Sequence, residues 1–126
     1  MTPINITLTS KKTSMKPADF NPTDYCVVLT TTNDKHNAEH IIHHLLEHKL
    51  AACVQVLPIE SHYLWQGNYY QDKELLLVIK TQVACYAALE SAVQLLHPYQ
   101  VPQIVQLPLT QGFEPYLAWL KHNTQP

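Results

Sequence analysis

Between Cys53 and Lys80 the chain contains two long β-forming arms joined by a single turn signal. Cys53 to Trp65 and Asn68 to Lys80 are rich in Val, Leu, Ile, Tyr and Trp, and Gly67-Asn68 supplies the turn between them. At roughly 3.3 Å per residue each arm extends about 40 Å, whereas a domain of this size has a radius of gyration of only about 13 Å. The arms must therefore overhang their own core. The overhang carries Tyr63, Leu64, Trp65, Tyr69 and Tyr70. An aromatic strand edge left in water invites aggregation unless partner subunits cover it, so the hairpin alone predicts an oligomer. Pro58 marks a bulge or an edge position within the first arm.

Around the hairpin the periodicity alternates. Residues 1–22 are rich in Thr, Ser, Lys, Pro and Asn and predict a flexible N-terminal tail, with the folded domain over 23–126. Tyr25 to Thr32 is a β-branched run, closed by the helix-start signals Asn33-Asp34. Ala38, Ile41, Ile42, Leu45 and Leu46 then make a helical stripe between Asp34 and Lys49. After the hairpin, Ala84 to Leu96 carries Leu89, Ala92, Val93 and Leu96 on one helical face, and His97-Pro98 ends it. A short strand over Gln103 to Leu109 and a helix over Pro115 to Lys121 complete the chain. The fold class is α/β (α+β), with a ferredoxin-like βαββαβ order and a C-terminal helix.

Composition excludes several functions. At 126 residues the chain fits one domain with one core. A net charge of −2 and a basic set made only of Lys leave neither a broad positive field nor a bidentate phosphate fork, so no nucleic-acid partner is expected. Cys26, Cys53 and Cys85 form no C-x-x-C pair and are expected as buried, reduced thiols. With no signal-like or membrane-spanning apolar run, a cytoplasmic protein with no membrane partner is expected. No nucleophile–base pair or paired carboxylates stand out, so the chain reads as a non-enzyme.

Four segments carry a resemblance: Leu50-Ala-Ala-Cys53-Val54, Ser61-His-Tyr63-Leu-Trp65-Gln-Gly67, Glu74-Leu-Leu-Leu-Val-Ile-Lys80-Thr81 and His97-Pro-Tyr99-Gln-Val-Pro102, with Tyr116-Leu-Ala-Trp119-Leu closing the set. In this order and spacing the chain resembles the CutA divalent-cation-tolerance family. The resemblance implies a homotrimer whose hairpins pair between subunits, kinship with PII-like signalling proteins, and a role in the response to metal ions, copper among them. It also implies, for some members, copper ligands at places where this chain has Thr30, Leu96 and Gln103, leaving His97 as the matching candidate.

Two groups of residues are candidates for chemistry. His36, His40, His44 and His48 repeat at i+4 on the first helix, beside His43 and Glu47, a spacing at which two imidazoles reach one copper or zinc ion; the same residues also fit a solvated polar face. Lys80, Tyr99, Glu74 and Trp65 are expected in a cleft between subunits, with His97 close by. Lys80 would give that cleft a point charge suited to a small anion, or the cleft would take a metal ion; no resident cofactor is required. The competing expectation is a trimeric scaffold that binds a macromolecular partner without metal.

Overall fold

The structure is a computed structural model that describes residues 21–126, so the expected tail lies outside the described residues except for Asn21 and Pro22. Asn21 caps a 3₁₀ turn at Pro22–Asp24, its side chain accepting the Thr23 N–H at 3.1 Å. The elements that follow are β1 (Tyr25–Thr32), α1 (Lys35–Glu47), β2 (Cys53–Trp65), β3 (Asn68–Gln82), α2 (Tyr86–Leu96), β4 (Ile104–Pro108) and α3 (Glu114–His122). A 3₁₀ turn at Val83–Cys85 leads into α2, so that helix starts two residues later than its apolar pattern implies.

The four strands form one antiparallel sheet in the order β2-β3-β1-β4, the split βαβ arrangement. Alternation along β1 sends Cys26, Val28, Thr30 and Thr32 to one face, all fully buried. There they meet Leu77 and Ile79 of β3, Ala38, Ile41 and Leu45 of α1, and Leu89 and Val93 of α2. Asp34 starts α1 by accepting the His36 N–H at 2.9 Å. Lys49 ends it in the left-handed region at φ 55, a place that usually falls to Gly, while the Leu50 N–H returns to the Leu45 carbonyl at 2.9 Å.

The opposite face is covered at one end only, where Tyr25 packs with Leu117 and Leu120 of α3. Elsewhere it presents Val27, Leu29, Leu76 and Val78, half-buried, and Leu57, Val105 and Leu107, 51%, 42% and 48% exposed. That is an apolar strip across all four strands with no layer over it among the described residues.

Register measures the hairpin's overhang. The last β1–β3 pair is Thr32↔Leu75, whereas β2–β3 pairing continues to Trp65↔Asn68. The β3 segment 68–74 therefore has β2 as its one partner, an overhang of about 23 Å at 3.3 Å per residue. The turn residues are Gln66 (φ 51) and Gly67 (φ 80), the positive-φ pair of a tight two-residue hairpin. The expected Gly67-Asn68 turn is thus shifted by one, with Asn68 opening β3. Pro58 pairs in unbroken register with Leu75, which makes it an edge-strand proline and not a bulge.

Candidate functional site

A cleft of about 430 Å³ opens where the hairpin leaves the sheet. Its walls come from the end of β1 (Thr31, Asn33), the hairpin (Tyr63, Trp65, Asp72, Glu74) and the loop after α2 (Tyr99, Gln103). The even spacing of Asp72 and Glu74, and their pairing with Ser61 and Ile59, put both carboxylates on the uncovered face of the sheet. Because β1 stops at Thr32, no described strand flanks these two residues on that side, and the loop after α2 fills the space.

Each carboxylate holds a phenol. The Tyr99 hydroxyl donates to Glu74 Oε2 at 2.7 Å, and the Tyr63 hydroxyl donates to Asp72 Oδ2. Burial first, and then the Glu74 bond and charge, push the Tyr99 phenol well above its ordinary range. The Asp72 bond pushes Tyr63 up to about 12.

His97 fixes the loop. It is 8% exposed, its Nε2 lies 2.7 Å from the Thr31 carbonyl, and its Nδ1 lies 3.1 Å from the Tyr99 N–H. A carbonyl can only accept and an amide can only donate, so the ring is the neutral Nε2–H tautomer with both nitrogens engaged. The rings of His97 and Tyr99 meet edge to face at 4.5 Å. The His97 backbone N–H closes α2 on the Val93 carbonyl, but its imidazole crosses to β1 instead of capping its own helix. In this arrangement a metal on His97 would have to displace one of those two bonds.

The subunit thus gathers Glu74, Tyr99 and Trp65 but keeps Lys80 apart. Lys80 pairs with Val27 and Cys53, six residues or about 20 Å along β3 from Glu74. Its ammonium lies 5.6 Å from the Tyr116 ring centre. Within one subunit, and among the described residues, no Lys or His lines this cleft, and its walls carry two carboxylates. Tyr63, Asp72, Thr31 and Asn33 are members that sequence reading missed; the Asp72/Glu74 alternation was the available signal. A larger groove of about 600 Å³ borders the hairpin base, but Lys35 and Lys73 there are matched by Glu60 and Glu74.

The remaining candidates lie elsewhere. His36, His40 and His43 are exposed on α1, and His44 stacks on His48 at 4.1 Å between ring centres. Among the described residues no three His, Cys, Asp or Glu side chains converge on a metal position. At the positions of the implied copper ligands, Thr30 is fully buried with its Oγ1 unpartnered, and Gln103 lines the cleft. Cys26, Cys53 and Cys85 are buried and form no disulfide among the described residues, and burial pushes Cys26 up to about 11, far from nucleophilic range.

Sheet order, the overlong hairpin and the cleft at its root define a ferredoxin-like subunit of the long-hairpin type. The chain belongs to the CutA1 divalent ion tolerance protein family, whose model matches residues 26–123. The divalent-cation tolerance protein CutA of Thermus thermophilus is 46% identical over 99 residues, 78% of this chain and 96% of that protein. Protein CutA of Homo sapiens is 41% identical over 98 residues, 77% of this chain and 54% of that protein, so this chain spans about half of the human relative. Among solved structures, the divalent cation tolerance protein from Thermus thermophilus superposes with a TM-score of 0.78 at 44% identity, covering 80% of this chain and 99% of that one. The stable CutA1 protein from a psychrotrophic Shewanella gives 0.79 at 39% identity, covering 85% and 100%. Among the described residues no helix is long and apolar enough to cross a membrane.

Proposed function

We propose that the chain acts as a cytoplasmic, non-enzymatic homotrimer in the response to divalent metal ions, with a cation held in the hairpin-root cleft once a neighbouring subunit closes it. The observation that carries this reading is the continuity of the uncovered apolar strip with the acidic cleft. Leu57, Val105 and Leu107 are exposed apolar groups that a partner must cover, and Glu74 and Asp72 lie on the same face. Two carboxylates, two phenols and a threonine hydroxyl make an oxygen-rich wall, which suits a hard divalent cation better than copper. Relatives named for divalent-cation tolerance support the same class. Neither a macromolecular partner nor a resident cofactor is part of the proposal.

Light scattering and Mn²⁺ calorimetry test it together. Wild type is expected to have a trimeric mass at micromolar concentration and to bind Mn²⁺. Val105→Glu/Leu107→Glu, which charges the strip, should give monomers without Mn²⁺ binding, and Glu74→Gln should keep the trimer but lose the ion. Mn²⁺ binding by the monomeric variant would show that the cleft needs no neighbour, and a monomeric wild type would defeat the assembly claim.

A further inference from the structure

α1 carries a row of histidines that the cleft does not use. At 100° per residue, His36, His40, His43 and Glu47 fall within an arc of about 60°, opposite buried Ala38, Ile41 and Leu45. His36, His40 and His43 are exposed, and none makes a side-chain hydrogen bond to another described residue, so among these residues nothing holds their rings from turning toward a ligand. Residues four apart on a helix have Cβ atoms about 5–6 Å apart, close enough for two imidazoles to bind one ion at roughly 2.0–2.1 Å.

The histidines are not equivalent. His40 has imidazole neighbours at i−4 (His36), i+3 (His43) and i+4 (His44). His44 is half-buried and stacked on His48, whose Nδ1 is 2.9 Å from the His44 carbonyl, so that pair is already engaged. His62 is bonded to Tyr69 and Glu60 on the hairpin, and His97 is locked behind the cleft. Exposed Glu39 and Glu47 flank the stripe and raise the local cation concentration.

We infer that His36 and His40 form an exposed two-imidazole chelate for a borderline divalent cation of the Zn²⁺ or Cu²⁺ class, with water completing the coordination. Because no third protein ligand converges there among the described residues, this is a weak, rapidly exchanging site. Its donors are nitrogens, whereas the cleft offers oxygens, so the two sites select different ions and one can fail without the other.

Zn²⁺ calorimetry at pH 7.5 on wild type, His36→Gln, His40→Gln, His44→Gln and His48→Gln tests the assignment, with circular dichroism checking that α1 is retained. Losing one arm of a chelate should weaken Zn²⁺ binding about tenfold or more in His36→Gln and His40→Gln. His48→Gln should stay within about twofold of wild type, and Mn²⁺ binding should be unchanged in His40→Gln. Unchanged Zn²⁺ affinity in His40→Gln overturns the proposal, as does a wild type that takes up no Zn²⁺. A loss in His44→Gln without one in His36→Gln overturns the pairing.

Discussion

The Tyr99–Glu74 hydrogen bond can be weighed by a double-mutant cycle. At 2.7 Å it joins a phenol to a carboxylate in a half-buried cleft, and hydrogen bonds to charged groups contribute about 1.5–3 kcal/mol. Water reaches part of the cleft and recovers some of that, so Tyr99→Phe should cost about 1–2 kcal/mol. Glu74→Gln keeps an acceptor oxygen but loses the charge, which removes roughly half of the bond's strength, about 1 kcal/mol. Combining them should cost little more than Tyr99→Phe alone, a coupling of about 1 kcal/mol. The loop stays in place throughout, because His97 holds the Tyr99 backbone N–H independently of the hydroxyl. Urea midpoints at one fixed protein concentration give the energies. Phenol absorbance during alkaline titration gives a second readout, since in Glu74→Gln Tyr99 keeps the upward push of burial but loses that of the carboxylate and should ionise earlier. Additivity within about 0.3 kcal/mol, with an unchanged phenol titration, would refute the bond.

Two further outcomes follow from the backbone and the titrating groups. Lys49→Gly should raise stability by about 0.5–1 kcal/mol, because Lys49 occupies the left-handed helix-ending position that Gly fills without strain; a lower urea midpoint would show that its φ of 55 carries no cost. Stability should hold up to about pH 9 and fall from there toward pH 12. Cys26 is raised from 9.0 to about 11, Tyr63 and Tyr86 are raised from 10.0 to about 12, and Tyr25 and Tyr99 are raised as well. The folded chain therefore holds these protons at pH values where the unfolded chain releases them, and the stabilisation is lost as pH rises through the folded values. A urea midpoint unchanged between pH 9 and 11.5 would contradict that sign.

Local pattern made much of the fold legible, and distance limited the rest. β1 was readable to the residue because a β-branched run begins at Tyr25 and is closed by Asn33-Asp34. The α1 stripe was readable because Ala38, Ile41 and Leu45 recur at helical spacing and all three are buried. The turn was misplaced by one because Gln66, not Asn68, takes the first positive φ. Even spacing puts Lys80 and Glu74 on one face of β3 but about 20 Å apart within a subunit, so a cleft holding both is a matter for the assembled oligomer. His97 was readable as the end of α2, but its acceptor, the Thr31 carbonyl, lies 66 residues away, and no local pattern carries that pairing. Asp72 and Tyr63 escaped for a related reason. Their partnership spans the hairpin and depends on a register that the turn sets.

The hairpin's length and the cleft's charge have one origin. β1 ends at Thr32, so β3 residues before Leu75 lose their lateral partner, and Glu74 and Asp72 face open space beside the loop that His97 ties to Thr31. In an isolated subunit water solvates those carboxylates on the sides their phenols leave free. A neighbour that packs on the apolar strip and closes the cleft removes that water, and a buried carboxylate without a compensating charge costs several kcal/mol. Closure therefore favours a bound cation or a donor from the neighbouring chain, and cation binding in turn favours closure by the same free energy. That reciprocity predicts that Mn²⁺ raises the protein dilution the wild-type trimer tolerates but does nothing for the trimer of Glu74→Gln. Sedimentation across a dilution series with and without Mn²⁺ measures it directly. Equal dissociation in both conditions for wild type would mean that the cleft's charge is satisfied without the ion.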